Sequence, residues 1–237
     1  MAKERTEAIL EAGIRHYIEM GEPVTSKALF DSYDFGIKPA MIRAELCALG
    51  EEGYFVQNHP SGGRIPTAKA YEYFTRRLVK RLPAQAGERQ PRHRERMPRF
   101  AEDLARGEMR NFVEGMARHF ALLGVGYGFS RERFYESGLY ELFSNLDAMG
   151  RDDILGIARD VERIESRIGE GGEWLEGEEW PKVFIGRSPV TESKELSVIA
   201  NRFSVGRRPF LLLMIGPTRM DYEGSLRFME ELEDSMK

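Results

Sequence analysis

Gly53-Tyr54-Phe55-Val56-Gln57-Asn58-His59-Pro60-Ser61-Gly62-Gly63-Arg64-Ile65-Pro66-Thr67 decides how the first third of this chain is read. Tyr54-Phe55-Val56 is β-prone, Ser61-Gly62-Gly63 supplies a turn tolerant of positive φ, and Arg64-Ile65 returns as a second strand. Gly53 is a natural stop for a helix before the hairpin, and Thr67 is a natural cap for a helix after it. The stretch therefore reads as a Gly-rich hairpin between two helices, with one arginine on its returning strand.

Upstream, residues 4 to 20 carry Leu10, Ile14, Tyr17 and Ile18 on one helical face, and Gly21 ends the pattern. Pro23-Val24 is a turn, and a short helix capped by Thr25 or Ser26 runs to about Tyr33. After Asp34-Phe35-Gly36-Ile37, Pro39 suits a first helical position and Ile42, Leu46 and Leu49 form the next buried stripe. Ala40, Arg43, Ala44 and Cys47 lie broadly opposite that stripe. Small side chains let a helix approach base edges, and an arginine can pair bidentately with guanine. Taken alone, Arg43 is better explained as an ordinary surface arginine and Ala44 as a good helix former. As the third of three helices leading into a hairpin, the helix predicts a winged helix-turn-helix domain that binds DNA.

The formal net charge of −4 hides an uneven distribution. Residues 1 to 99 hold 17 Lys+Arg against 13 Asp+Glu, residues 100 to 237 hold 18 against 26, and Arg64 to Arg99 holds 11 against 3. That local excess suits a phosphate-binding surface, although a solvated basic linker explains the same count. The longest apolar run, Phe210 to Ile215, is too short for a membrane span, and the opening residues lack a secretory apolar region. A cytoplasmic protein with no membrane partner is expected. The single cysteine, Cys47, cannot form an internal disulfide, and His16, His59, His93 and His119 have no metal-ligand spacing. No Gly-rich phosphate loop or paired catalytic carboxylates appear, so neither a cofactor nor an enzyme is expected.

After Thr67, the residues Tyr71, Phe74, Leu78 and Leu82 are spaced for packing. Pro83 to Pro98 is basic, Pro-rich and almost free of apolar residues, which predicts a flexible linker. Beyond it, Phe100 to Phe120 has loose helical spacing, Leu122 to Phe129 is a possible strand, and Leu139 to Phe143 is a short apolar element. Residues 151 to 168 are an amphipathic helix, and the Gly/Glu-rich segment Gly169 to Glu179 is a solvated loop. Val183–Ile185, Ser197–Ile199 and Phe210–Ile215 read as strands before a closing helix from Met220. The Gly216-Pro217-Thr218-Arg219-Met220-Asp221-Tyr222 turn admits two readings. It is either an anion site at a helix N-terminus or a structural turn in which Thr218 and Asp221 form a capping-box variant, and the structural reading is favoured.

Gly21-Glu22-Pro23-Val24, Ile42-Arg43, Gly53-Tyr54 and Gly63-Arg64-Ile65-Pro66-Thr67 together resemble the N-terminal domain of the HrcA heat-inducible transcription repressor family. A second block, Val183-Phe184-Ile185-Gly186 with Ile215-Gly216-Pro217-Thr218-Arg219-Met220-Asp221-Tyr222, is similar to the end of that family's GAF-like domain, and Glu136-Ser137-Gly138-Leu139 fits as well. The resemblance implies a repressor of chaperone genes that binds an inverted-repeat operator as a homodimer, with a chaperonin as partner. Residues 100 to 237 are too few for a complete GAF-like domain and an inserted dimerising domain, so the second half is expected to be reduced. The pattern also departs from the family at Met41, Ala44, Pro60 and Gly62, which points to a different operator.

The expected fold class is thus α+β, with a winged helix-turn-helix domain over 1–82, a basic flexible linker over 83–99 and a reduced GAF-like α/β domain over 100–237. On the first domain, Arg43 is the expected base reader, with Met41 and Ala44 contacting thymine methyls. Thr25, Ser26, Lys27, Lys38, Ser61, Gly62, Gly63, Arg64 and Lys69 complete the expected contacts to phosphates or the minor groove of double-stranded DNA. The competing reading is a small-molecule-responsive winged-helix regulator using a residual GAF-type pocket.

Overall fold

The computed structural model describes residues 2–57, 62–81, 97–130, 132–146, 149–177, 179–205 and 208–236. The chain divides into two compact units, Met1–Arg77 and Leu78–Lys237, and is mixed α+β with antiparallel sheets.

In the first unit, α1 (Ala2–Met20), α2 (Ser26–Ser32) and α3 (Pro39–Glu51) precede a two-stranded hairpin, β1 (Phe55–Val56) and β2 (Ile65–Pro66), and then α4 (Ala68–Arg81). The apolar stripes dictate the packing: Leu10 and Ile14 of α1, Leu29 of α2, and Ile42, Leu46 and Leu49 of α3 are all buried. At about 1.5–3 kcal/mol for each fully buried large aliphatic side chain, this core holds the three helices together. Thr25 is the N-cap of α2 and accepts from the Ala28 amide at 3.1 Å. Helix α3 ends in a Schellman arrangement, with the Gly53 amide on the Gly50 carbonyl and the Tyr54 amide on the Leu49 carbonyl, both at 2.9 Å. The turn at Gly53 delivers the chain into β1.

The hairpin is braced from outside. Val24 and Arg64 exchange two backbone hydrogen bonds of 2.8 Å, which adds a bridge beside β2. This brace explains Gly63: a Cβ there would lie 2.5 Å from the Pro23 carbonyl oxygen. The residue is required by close approach, not by the positive φ anticipated for the turn. Ion pairs tie the helices to one another, Arg5 to Glu45 at 3.2 Å and Arg77 to Glu7 at 2.6 Å.

The second unit contains α5 (Met97–Arg106), α6 (Met109–Phe120), β3 (Leu123–Gly128), β4 (Arg133–Ser137), α7 (Leu139–Ser144), α8 (Arg151–Gly169), β5 (Lys182–Ile185), β6 (Leu196–Val205), β7 (Arg208–Pro217) and α9 (Tyr222–Ser235). Its five strands form one antiparallel sheet in the order β4-β3-β7-β6-β5. Strand β3 shows how the sheet receives helices on both sides. Leu123, Val125 and Tyr127 join Ile157, Val161, Ile164 and Ile168 of α8 in one core. The alternate residues Gly124 and Gly126 face Met116 and Val113 of α6, whose atoms lie within about 3 Å of where a Cβ would sit. Phe100, Phe112 and Phe228, from α5, α6 and α9, cluster with centroids 5.2 to 6.5 Å apart.

Several elements differ from the sequence reading. Helix α4 straddles the division at Arg77, so the first compact unit ends before residue 82. Helix α5 starts at Met97, so residues 97–99 belong to a helix instead of the expected linker; residues 82–96 lie outside the described residues. The short apolar element Leu139–Phe143, whose type the sequence left open, is helical; β6 is ten residues long where three are expected, and β4 is not expected as a strand. Arg133–Ser137 mixes charged, aromatic and small residues without clean alternation, and only pairing with β3 makes it a strand. The capping-box reading is also corrected. Asp221 is itself the N-cap of α9 and accepts from the Gly224 amide at 2.9 Å, so Thr218 stands outside the helix.

Candidate nucleic-acid interface

Burial of Ile42, Leu46 and Leu49 forces the opposite side of α3 outward. Ala40, Met41, Arg43, Ala44, Cys47 and Ala48 are all exposed, Met41 at 47%. At roughly 100° per residue, Ala40, Ala44, Cys47 and Ala48 form a low ridge with Met41 on one flank and Arg43 on the other. An exposed ridge of small side chains is unusual for a solvated helix, and its shape permits close approach to a second surface. Pro39 occupies the first helical turn, and Lys38 at the N-cap makes no side-chain cap bond. Arg43 and Lys38 bring positive charge to this face.

The structure sorts the expected contact residues into groups. Met41, Arg43, Ala44 and Lys38 share the outward side of α3 and its N-terminal end, all exposed, and Lys27 is exposed on α2. The Thr25 hydroxyl is used as the α2 cap, which leaves its proton available as a donor, while Ser26 is half-buried. Gly62 is exposed and its carbonyl accepts from Gln57 Nε2 at 2.9 Å, closing the hairpin near its tip; Ser61 lies outside the described residues. Gly63 is half-buried against Pro23.

Two of the expected basic residues make contacts within the unit. Arg64, expected to hold a phosphate or the minor groove, has its Nη2 3.0 Å from Cys47 Sγ, so the guanidinium lies across α3. The hairpin and α3 thus present one continuous surface. Lys69 donates to the Glu52 carbonyl at 2.6 Å and rests 4.4 Å above the Tyr54 ring. It satisfies the C-terminal end of α3, so its ammonium is engaged within the unit. Ala48 was missed in the sequence reading, although its position four residues after Ala44 was the available signal. The contact between Cys47 and Arg64 joins residues 17 apart, and no local spacing announces it.

The second sequence block is a packed turn. The Thr218 amide donates to the Glu195 carbonyl at 3.0 Å, and Gly216 leaves room for Met220. The buried Tyr222 hydroxyl donates to the Thr218 carbonyl at 2.6 Å and lies 2.8 Å from the Ser197 hydroxyl. Burial pushes this phenol far above the usual tyrosine range. The turn's polar groups are spent on structure, consistent with the structural reading of that block.

Asp160 is a buried carboxylate that the sequence did not single out. It accepts from the Glu192 and Ser193 amides and from Arg167 Nη1 at 2.8 to 3.0 Å, pinning the segment before β6 to α8. Among the described residues, no group of three His, Cys, Asp or Glu side chains could hold a metal ion, and no helix is long and apolar enough to cross a membrane. His16 and His119 lie in different units, and His59 and His93 fall outside the described residues.

With this geometry in place, known proteins supply the family. The family model described as HrcA protein C terminal domain matches residues 67–226. The chain belongs to the HrcA family. The heat-inducible transcription repressor HrcA of Nocardioides sp. is 42% identical over 89 residues, covering 38% of this chain and 26% of that protein. The HrcA repressor of Kineococcus radiotolerans is 43% identical over 89 residues, with the same shares. The matched part of the chain therefore spans about a quarter of the length of these HrcA relatives. Among solved structures, the crystal structure of a hypothetical protein superposes with a TM-score of 0.76, covering 98% of this chain and 96% of that one at 16% identity. That likeness speaks to the fold alone.

Proposed function

We propose that the chain is a DNA-binding transcriptional repressor of the heat-shock type, with residues 1–82 acting as a winged helix-turn-helix domain. The observation that carries this reading is the exposed small-residue ridge of α3, flanked by Arg43 and continued onto the hairpin by the Arg64–Cys47 contact. A helix of this shape enters a major groove with its side chains at base-edge distance, and its N-terminal residues lead. Arg43 is the base reader, Met41 and Ala44 meet thymine methyls, and Thr25, Ser26, Lys27 and Lys38 hold phosphates. The hairpin, through Ser61, Gly62, Gly63 and Arg64, follows the backbone or minor groove. Its HrcA relatives are heat-inducible transcription repressors by name, which supports the same role.

The finer features belong to the same proposal. Residues 100–237 act as a reduced GAF-like domain that supports a homodimer on an inverted-repeat operator, the target genes encode chaperones, and a chaperonin modulates activity in the cytoplasm. The protein works by recognition, without turnover. The test is fluorescence anisotropy of the full chain on an operator-bearing fragment and on random duplex, across a salt series. Arg43→Ala is expected to cost about 1–3 kcal/mol on the operator and much less on random DNA. Arg64→Ala is expected to weaken both about equally and to shallow the salt dependence. Equal losses on the two duplexes for Arg43→Ala would remove it as the base reader.

A further inference from the structure

A cleft of about 390 Å³ opens in the second unit, where the turn between α5 and α6 meets the ends of β3, β4 and β7. It lies at the start of β7, at the other end of that strand from the packed Gly216–Tyr222 turn. Leu104, Met109 and Phe210 give it an apolar floor, and Arg106, Arg133 and Arg208 surround it with no acidic side chain among the lining residues. Arg133 and Arg208 are exposed and have no carboxylate partner among the described residues. Arg106 has only an exposed partner four residues back on its own helix, Glu102 at 3.6 Å, a kind of pair worth little. Glu108, the N-cap of α6, does not line the cleft, and its carboxylate accepts from Asn111 Nδ2 at 2.9 Å.

The sheet leaves this space open at one residue. Gly128 pairs with Arg133 on one side and with Phe210 on the other, and a Cβ on it would meet nothing closer than the Arg133 carbonyl at 3.9 Å. Elsewhere in β3, Gly124 is required because helix α6 presses on it and Gly126 because the Phe210 ring and Val113 do; at Gly128 the absent side chain is the space of the cleft itself. Three arginines around an apolar floor give the cleft a positive potential that favours an anionic head. An apolar body on the same ligand takes its own surface out of water against Leu104, Met109 and Phe210.

We propose that this cleft is a binding site for a small amphipathic organic anion, with the carboxylate or phosphate head held by Arg133 and Arg208 and the apolar body laid over Leu104, Met109 and Phe210. The site goes beyond the DNA-binding reading and does not depend on it, because the test contains no DNA. Isothermal titration of the full chain with octanoate and with octyl phosphate, both below their micellar range, is expected to give saturable one-to-one binding. Inorganic phosphate and octanol, each offering half of the chemistry, are expected to bind at least tenfold more weakly. Shortening the chain to hexanoate should cost about threefold to fourfold per methylene. Arg133→Ala combined with Arg208→Ala should weaken octanoate at least tenfold without lowering the thermal midpoint, since both side chains are exposed. Gly128→Leu should fill the cleft and abolish binding. The comparison of octanoate with octyl phosphate decides which head is preferred. Non-saturating heats, unchanged affinity in the double arginine variant, or inorganic phosphate binding as tightly as octanoate would each overturn the proposal.

Discussion

Single residues in this protein carry tasks that their neighbours in sequence do not reveal. Gly138, at the N-cap of α7, has φ of 100°, and a Cβ on it would sit 2.1 Å from the Leu122 carbonyl oxygen. Gly138→Ala combines left-handed backbone strain with a clash against main chain, so it is expected to destabilise the second unit by about 1–3 kcal/mol or more. Chemical denaturation followed by circular dichroism reads the loss directly. Asp160 is the second such residue. Removing its carboxylate leaves the half-buried Arg167 without its buried ion-pair partner and two amides of the following segment unsatisfied, since the remaining ion-pair partner, Glu192, is itself mostly exposed. Asp160→Ala should therefore cost about 3–5 kcal/mol, the range for breaking a buried pair, and a loss under 1 kcal/mol in the same denaturation experiment would contradict the assigned role.

At the level of elements, the sequence was most legible where one periodicity dominates. Helices α1, α3 and α8 came out within two residues of their expected bounds, because their stripes are long and flanked by clear stops. Strand β4 was illegible because its stability comes from its neighbour: Glu136 pairs with Val125 and so sits on the side of the sheet that α8 covers. Burial pushes the Glu136 carboxyl up, and repulsion from Glu165 adds to the shift. A carboxyl raised in the folded state binds its proton more tightly there than in the unfolded chain. Its contribution is therefore fully favourable below the ordinary carboxylate range and is lost as pH rises through the raised value. Glu136→Gln is expected to raise the thermal midpoint at pH 7, to change it little at pH 4, and to flatten the profile between them.

At the level of the whole molecule, the two compact units have separate cores, and each should respond to its own substitutions. Leu213 is fully buried in the second unit's sheet core. Leu213→Ala is expected to cost about 2–5 kcal/mol there and to lower one calorimetric transition while leaving the transition of residues 1–77 in place. A single transition that shifts as a whole would mean that the units unfold together. The same division separates two kinds of legibility. The three-helix-and-hairpin half was readable because its elements are consecutive and its contacts short in sequence. The arginine cleft was not, because Arg106, Arg133 and Arg208 are more than 100 residues apart from first to last; Arg133 and Arg208 meet only through the pairing of β4, β3 and β7, and Arg106 reaches them from the end of α5.

The amino-acid sequence by itself determined the order of elements in the first unit, the buried stripe of α3 and hence its exposed opposite face, and the family resemblance that the match over residues 67–226 bears out. These follow from local periodicity, capping and motif order, which act over a few residues at a time. Only the tertiary structure decided that Arg64 lies across α3, that Lys69 closes a helix end, that the Gly216–Tyr222 turn is filled, and that Gly128 opens a cleft. Each of these depends on which distant backbone or side chain arrives within about 4 Å, a quantity set by packing and strand register and carried by no local pattern in the chain.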